Sequence, residues 1–158
     1  MGFLTKPPSL FRQINSDERW FKTGDIAQLT AAADGPKTFK ILGRASVDII
    51  KSGGYKLSAL EIESAIMSFC SSWISECSVV GVTDESGVWG EKVAVVISLC
   101  HDQPSGSDNE QVLQRLRKEV LPVMAKYKMP SMIRLVDAIP RNVTGKINKK
   151  NLQKLFHE

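Results

Sequence analysis

The sequence predicts an α+β fold: a small, mostly antiparallel sheet with flanking helices, preceded by a β-hairpin. Three observations carry this. Two apolar, β-branched runs of strand length, Cys77–Val82 and Val93–Leu99, are separated by a polar loop with Gly87 and Gly90. Helical periodicity appears before and after them. The resulting order, α-β-β-α-β-α, suits a sheet covered by helices.

The elements follow in chain order. Residues 1–19 read as irregular, with Pro7, Pro8 and a polar run from Gln13 to Arg19. Ile26–Leu29 and Thr38–Leu42 read as a hairpin around Ala31–Pro36, where Asp34-Gly35 supplies turn chemistry. Ser52-Gly53-Gly54 reads as a loop needing unusual backbone angles. Ser58, with Glu61 three residues on, forms a capping box. The helix it opens carries Leu60, Ala65, Ile66 and Phe69 as its apolar stripe. His101–Asn109 has linker composition. Val112, Leu113, Leu116, Val120 and Leu121 mark a second amphipathic helix. Met132–Val136 is a short strand, Asp137–Gly145 a loop, and Asn148 a candidate cap for a last helix, Lys149–Phe156.

Composition narrows the function classes. A length of 158 residues suits one domain with a real core. No apolar run approaches the ~20 residues that span a bilayer, and Met1–Leu4 is too short for a signal-peptide core. The net charge of +4 is dispersed and not interleaved with stacking aromatics, which argues against nucleic acid. The one dense run, Lys146, Lys149, Lys150 and Lys154, reads as the solvated face of a terminal helix. Cys70, Cys77 and Cys100 are odd in number and lack a C-x-x-C pair. They read as buried small hydrophobes in a reducing, intracellular compartment, mitochondrial or cytoplasmic, with no metal site.

Three segments hold more Gly, Lys and Asp than packing needs: Trp20-Phe21-Lys22-Thr23-Gly24-Asp25, Gly43-Arg44 through Lys51-Ser52-Gly53-Gly54-Tyr55-Lys56, and Pro140-Arg141-Asn142-Val143-Thr144-Gly145-Lys146-Ile147. Singly, each also reads as a plain turn. No P-loop pattern occurs. In this order, with Glu61-Ile62-Glu63 and Trp89-Gly90-Glu91 between them, they resemble the C-terminal third of the adenylate-forming enzymes. That superfamily holds acyl-CoA synthetases, luciferases and adenylation domains. The stretch from Ser46 to Glu63 is most similar to the malonyl-CoA synthetase branch.

The resemblance implies a division at residue 43. Residues 1–43 would be the tail of a large AMP-binding domain and residues 44–158 the C-terminal lid. It implies an acid–thiol ligase of fatty acid metabolism that uses ATP, Mg²⁺ and CoA, bound mainly through the large domain. A carboxylate attacks the α-phosphate of ATP, giving acyl-AMP and pyrophosphate. The lid then rotates and CoA thiolate attacks the acyl carbon, releasing AMP. Lys146 matches the catalytic lysine of the first step. Asp25 and Arg44 match residues at the ATP ribose. Lys51, Ser52, Gly53, Gly54 and Lys56 match the segment facing CoA in the second step. Ser46 stands at the hinge position, where relatives commonly carry Asp or Lys. The isolated chain is expected to be inactive. The alternatives are an adenylation domain that loads a carrier protein, or a stand-alone regulatory lid.

Overall fold

The computed structural model describes residues 11–15, 18–30, 38–102 and 108–157, with the backbone alone for residues 11–21. The Asp34-Gly35 turn, the middle of the His101–Asn109 linker and the Trp20 and Phe21 side chains lie outside the described residues. Among the described residues nine strands and three α-helices follow one another. They are β1 (Phe11–Asn15), β2 (Glu18–Phe21), β3 (Asp25–Thr30), β4 (Thr38–Arg44), β5 (Ile49–Ser52), β6 (Tyr55–Ser58), α1 (Ala59–Cys70), β7 (Ile74–Thr83), β8 (Glu91–Leu99), α2 (Asn109–Val120), β9 (Met132–Leu135) and α3 (Lys149–Lys154).

The α+β class and the expected order hold. The sheet is β7-β8-β9, with β7 antiparallel and β9 parallel to β8. β8 is buried along most of its length, which is why it reads as an unbroken apolar run instead of an alternation. α1 and α2 cover one face through Ile62, Ile66, Leu113 and Leu116, joined by Trp73 and Val95. The other face, through Val80, Val82, Ala94 and Val96, packs on Ile139 and Leu152 of the C-terminal segment. Alternate residues of β7 and β8 thus serve two separate apolar clusters, as the period of two requires.

Several sequence expectations are corrected. Part of the segment read as irregular forms the β1–β2 hairpin, in which Phe11 pairs with Phe21. Its polar residues hid the pairing. The Ser52-Gly53-Gly54 loop is the turn of a second unexpected hairpin, β5–β6, with Ser52 opposite Tyr55. Each of its strands is four residues long, too short for a pattern to show. The buried face of α1 is Ala59, Ile62, Ile66 and Cys70. Leu60 and Phe69 are exposed, one step round the helix. Leu60 instead flanks a groove of about 540 Å³ with Ile41 and Val123. Leu121, expected on the buried face of α2, is exposed too.

The caps are also only partly as read. Ser58 caps α1, its hydroxyl accepting from Glu61 N at 3.2 Å. The Glu61 carboxylate makes no reciprocal bond; it pairs with Lys40 of β4 and Lys128. Hydrogen bonding from Lys40, aided by Lys128, holds the Glu61 carboxyl below the usual carboxylate range against partial desolvation. Asn148 occupies the N-cap of α3 without a side-chain cap bond. Cys70 and Cys77 are buried, and desolvation pushes both thiols up to about 12. Cys100 is only half-buried.

Candidate functional site

Lys146 lies at the end of a small, closed loop. Asn142 N donates to Lys146 O at 2.9 Å, and Arg141 bridges Ile147. Gly145 makes the reversal at φ 78°, a conformation that suits glycine. Asn142 Oδ1 fills the loop, accepting from Thr144 N at 3.0 Å, Thr144 Oγ1 at 2.7 Å and Lys146 N at 2.9 Å. Arg141 Nη1 donates to Gly145 O at 2.9 Å, and its Nη2 pairs with Glu76 on β7. The loop is thereby fixed to the sheet. Lys146 itself is exposed, and no carboxylate among the described residues lies in ion-pair range of its ammonium.

Lys149 is the exception to the reading of the lysine run as a solvated face, a reading that Lys150 and Lys154 fit. Its side chain is 12% exposed, and Nζ stands 2.9 Å from both Asp48 Oδ1 and Glu63 Oε1. Both carboxylates have further donors. Glu63 Oε1 accepts from Val79 N at 2.7 Å, and Asp48 Oδ2 accepts from Arg44 N at 2.9 Å. One lysine of the run is therefore a buried structural cation, whereas Lys146 presents a free charge on a rigid backbone. Charge spacing along the sequence could not separate them.

Asp25 and Arg44 face each other across β3 and β4, with Oδ1 and Nε 3.7 Å apart. Both are exposed. A carboxylate beside a guanidinium offers two acceptors and several donors to a polyhydroxyl ligand. Ser46 is exposed in the turn that follows, Ala45–Asp48. Asp48 N donates to Arg44 O at 2.9 Å and closes that turn. Gly43 stands at φ 120°, where a Cβ would lie 2.5 Å from Asp48 Cβ. Ser46 is thus bounded by one close-packed glycine and one anchored aspartate.

Lys51, Ser52, Gly53, Gly54 and Lys56 lie on the β5–β6 hairpin. The hairpin is held by the loop that carries Trp89-Gly90-Glu91, a motif noted in the sequence without a role. Lys51 N donates to Glu91 Oε2 at 2.6 Å, Gly53 N donates to Trp89 O at 2.9 Å, and Ser52 bridges Gly90. The Trp89 ring covers Gly53, where a Cβ would lie 2.9 Å from Cε3. Gly54, at φ 81°, faces open space. The backbone angle alone therefore calls for glycine at 54, besides any need for room. Lys51, Gly54, Lys56 and Trp89 line a depression of about 430 Å³.

Asp84 underlies this loop. It is buried, pairs with Lys92 at 2.7 Å, and accepts from Ser86 Oγ and from Trp89 N. The Lys92 contact first, then that hydroxyl, hold its carboxyl well below the usual range. Nothing in the sequence marks Asp84 from other loop aspartates, because two of its three partners, Trp89 and Lys92, lie further along the chain than a local turn reaches.

The Lys146 loop is anchored on β7 rather than on these other groups, and Lys149, which follows it, reaches Asp48 of the Ala45–Asp48 turn. Among the described residues no group of three or more His, Cys, Asp or Glu side chains could hold a metal ion. No helix among them is long and apolar enough to cross a membrane.

Comparison with known proteins matches residues 61–146 to the family described as AMP-binding enzyme C-terminal domain. The chain is 40% identical to a CoA ligase of Gibberella moniliformis over 97% of its own length and 26% of that protein's. It is 41% identical to the mitochondrial malonate–CoA ligase ACSF3 of Homo sapiens over 98% of its own length and 26% of the relative's. Among solved structures, ATP-bound MatB from Rhodopseudomonas palustris superposes with a TM-score of 0.69 at 30% identity, over 93% of this chain and 25% of that one. The chain spans about a quarter of the length of the curated relatives it matches. By the matched family and by these relatives, the chain belongs to the AMP-binding enzyme C-terminal domain family of the adenylate-forming superfamily.

Proposed function

We propose that this chain is the C-terminal part of an acid–CoA ligase, with residues 44–158 as its movable lid and residues 1–43 as the end of its AMP-binding domain. The acid is malonate or a close relative, a choice supported by the relatives named malonate–CoA ligases. Those of them named mitochondrial support a mitochondrial site of action. The observation that carries the reading is the contrast inside the lysine run: Lys149 is consumed by two carboxylates, and Lys146 is offered on a rigid loop.

The chemistry needs such a group. Carboxylate and ATP are both anions, and attack concentrates negative charge on the α-phosphate oxygens. A fixed ammonium offsets that charge most strongly in the transition state. Lys146 fills this role. Asp25 and Arg44 hold the ribose hydroxyls. The β5–β6 turn, with Lys51, Ser52, Gly53, Gly54 and Lys56, faces the thiol arm of CoA in the second half-reaction, and Ser46 stands at the pivot between the two arrangements. Mg²⁺ is held by other parts of the enzyme.

The test is Lys146→Ala in a full-length ligase carrying this chain. Losing one preorganised charge-stabilising group costs about 10²–10³ in rate, so ATP–pyrophosphate exchange falls by that factor. Thioester formation from supplied acyl-adenylate continues. Near-normal exchange overturns the assignment. The chain alone is expected to be inactive. Charge-assisted contacts at Asp25 and Arg44 contribute about 1.5–3 kcal/mol each, against about 4–15 kcal/mol lost on association. Calorimetry on the isolated chain therefore shows no micromolar ATP binding.

A further inference from the structure

We infer that Asn142 is a positioning residue, which with the Arg141–Glu76 pair sets where the Lys146 ammonium stands during adenylation. The inference rests on the adenylation role proposed for Lys146 and deepens it. It assigns function to three residues whose own polar groups face the loop and not a substrate.

The argument starts from the backbone. A lysine has a long, flexible stem, so its charge is delivered to a defined point only if its Cα is held. Here the Cα is held from three directions. Asn142 Oδ1 accepts three hydrogen bonds, one of them from Lys146 N itself at 2.9 Å. Lys146 O accepts from Asn142 N at 2.9 Å, so both backbone groups of the lysine are engaged by one residue. Arg141 Nη1 holds Gly145 O at 2.9 Å, one peptide away.

The Arg141–Glu76 pair then fixes the loop to the sheet. Glu76 belongs to β7, opposite Ser98 on β8. Its carboxylate takes Arg141 Nη2 while Nη1 serves the loop carbonyl. The planar guanidinium with two fixed donors suits this double task, and a lysine would not reproduce it. Ile147, next to Lys146, packs against the cluster of Val80, Val96 and Ile139. The loop is thus anchored by a polar contact before Lys146 and an apolar one after it.

This construction is more than a turn needs. All of residues 141–146 are exposed, and an Asn side chain in a turn ordinarily bonds the backbone two residues on; here Asn142 Oδ1 takes Lys146 N as well. The side-chain bonds add rigidity at Lys146, whose ammonium has no ion-pair partner among the described residues. Misplacing a reacting group by about 1 Å can cost about 10²-fold in rate. Releasing the loop should therefore act on adenylation through Lys146.

Asn142→Ala, Glu76→Gln, Lys146→Ala and the Asn142→Ala/Lys146→Ala double variant are compared in a full-length ligase carrying this chain. ATP–pyrophosphate exchange and thioester formation from supplied acyl-adenylate are measured separately. Asn142→Ala is expected to lower kcat for exchange about 10–100-fold, with KM for ATP within about twofold. Glu76→Gln falls in the same direction by less, and the thioester step is kept in both. The double variant is expected to be no slower than Lys146→Ala, because Asn142 acts only through that lysine.

Exchange within twofold of the parent in Asn142→Ala overturns the inference. So does a double variant clearly slower than Lys146→Ala, or an equal loss in both half-reactions, which marks Asn142 as a folding residue. Lys146→Ala is read first and judges the adenylation role by itself. If that variant keeps exchange, the role proposed for Lys146 fails; if it loses exchange and Asn142→Ala does not, only the positioning inference fails.

Discussion

Lys149→Met tests whether the buried cation between the Ala45–Asp48 turn and α1 holds this part of the fold together. Methionine keeps most of the stem and removes only the charge. The side chains of Lys149, Asp48 and Glu63 are 12%, 13% and 19% exposed, so water solvates the two abandoned carboxylates poorly. Removing one partner of a buried pair costs about 3–5 kcal/mol. Each carboxylate here keeps a backbone donor, Arg44 N at 2.9 Å and Val79 N at 2.7 Å. That places the expected loss at the lower end, about 3 kcal/mol. For a chain of this size each 1 kcal/mol moves Tm by about 2–4 °C, so the melt shifts down by about 6–12 °C. Urea titration followed by circular dichroism reads the midpoint, with Lys150→Met as the exposed control, expected within about 0.5 kcal/mol of the parent. A loss under about 1 kcal/mol for Lys149→Met, or an equal loss for Lys150→Met, would refute the reasoning.

Other outcomes follow from the same structure. Gly53→Ala should destabilise more than Gly54→Ala. Both sit at positive φ, costing about 1–2 kcal/mol, but only at Gly53 does the new methyl meet the Trp89 ring, at 2.9 Å; equal urea midpoints would contradict this. Asp84→Asn should show a pH-dependent cost. The folded-state pKa of Asp84 is depressed, so its contribution is present above the unfolded value of about 3.9 and is lost as pH falls through the folded value. The stability gap between parent and variant therefore narrows from about pH 4 downward, and a gap constant from pH 7 to pH 2.5 would count against it.

What the sequence determined by itself is the local and the recurrent. The Ser58 cap, the sheet runs Cys77–Val82 and Val93–Leu99 and the amphipathic α2 were legible, because each depends on neighbours within a turn or a strand. The family was legible because its motifs keep their order along the chain. Tertiary structure decided what depended on distant partners. The β5–β6 hairpin exists because Glu91 and Trp89 grip it from beyond β7. Leu60 and Ile62 lie two positions apart on one helix, yet only Ile62 enters the core, because the sheet meets α1 on that side. The lysine run shows the limit most plainly. Lys146 and Lys149 are the same residue type three positions apart, and charge spacing alone treats them alike. Asp48 and Glu63, brought in from another part of the chain, bury the charge of Lys149. Asn142 holds the backbone of Lys146 and leaves its charge in the open, because a hydrogen bond to a peptide N–H fixes position without neutralising the side chain.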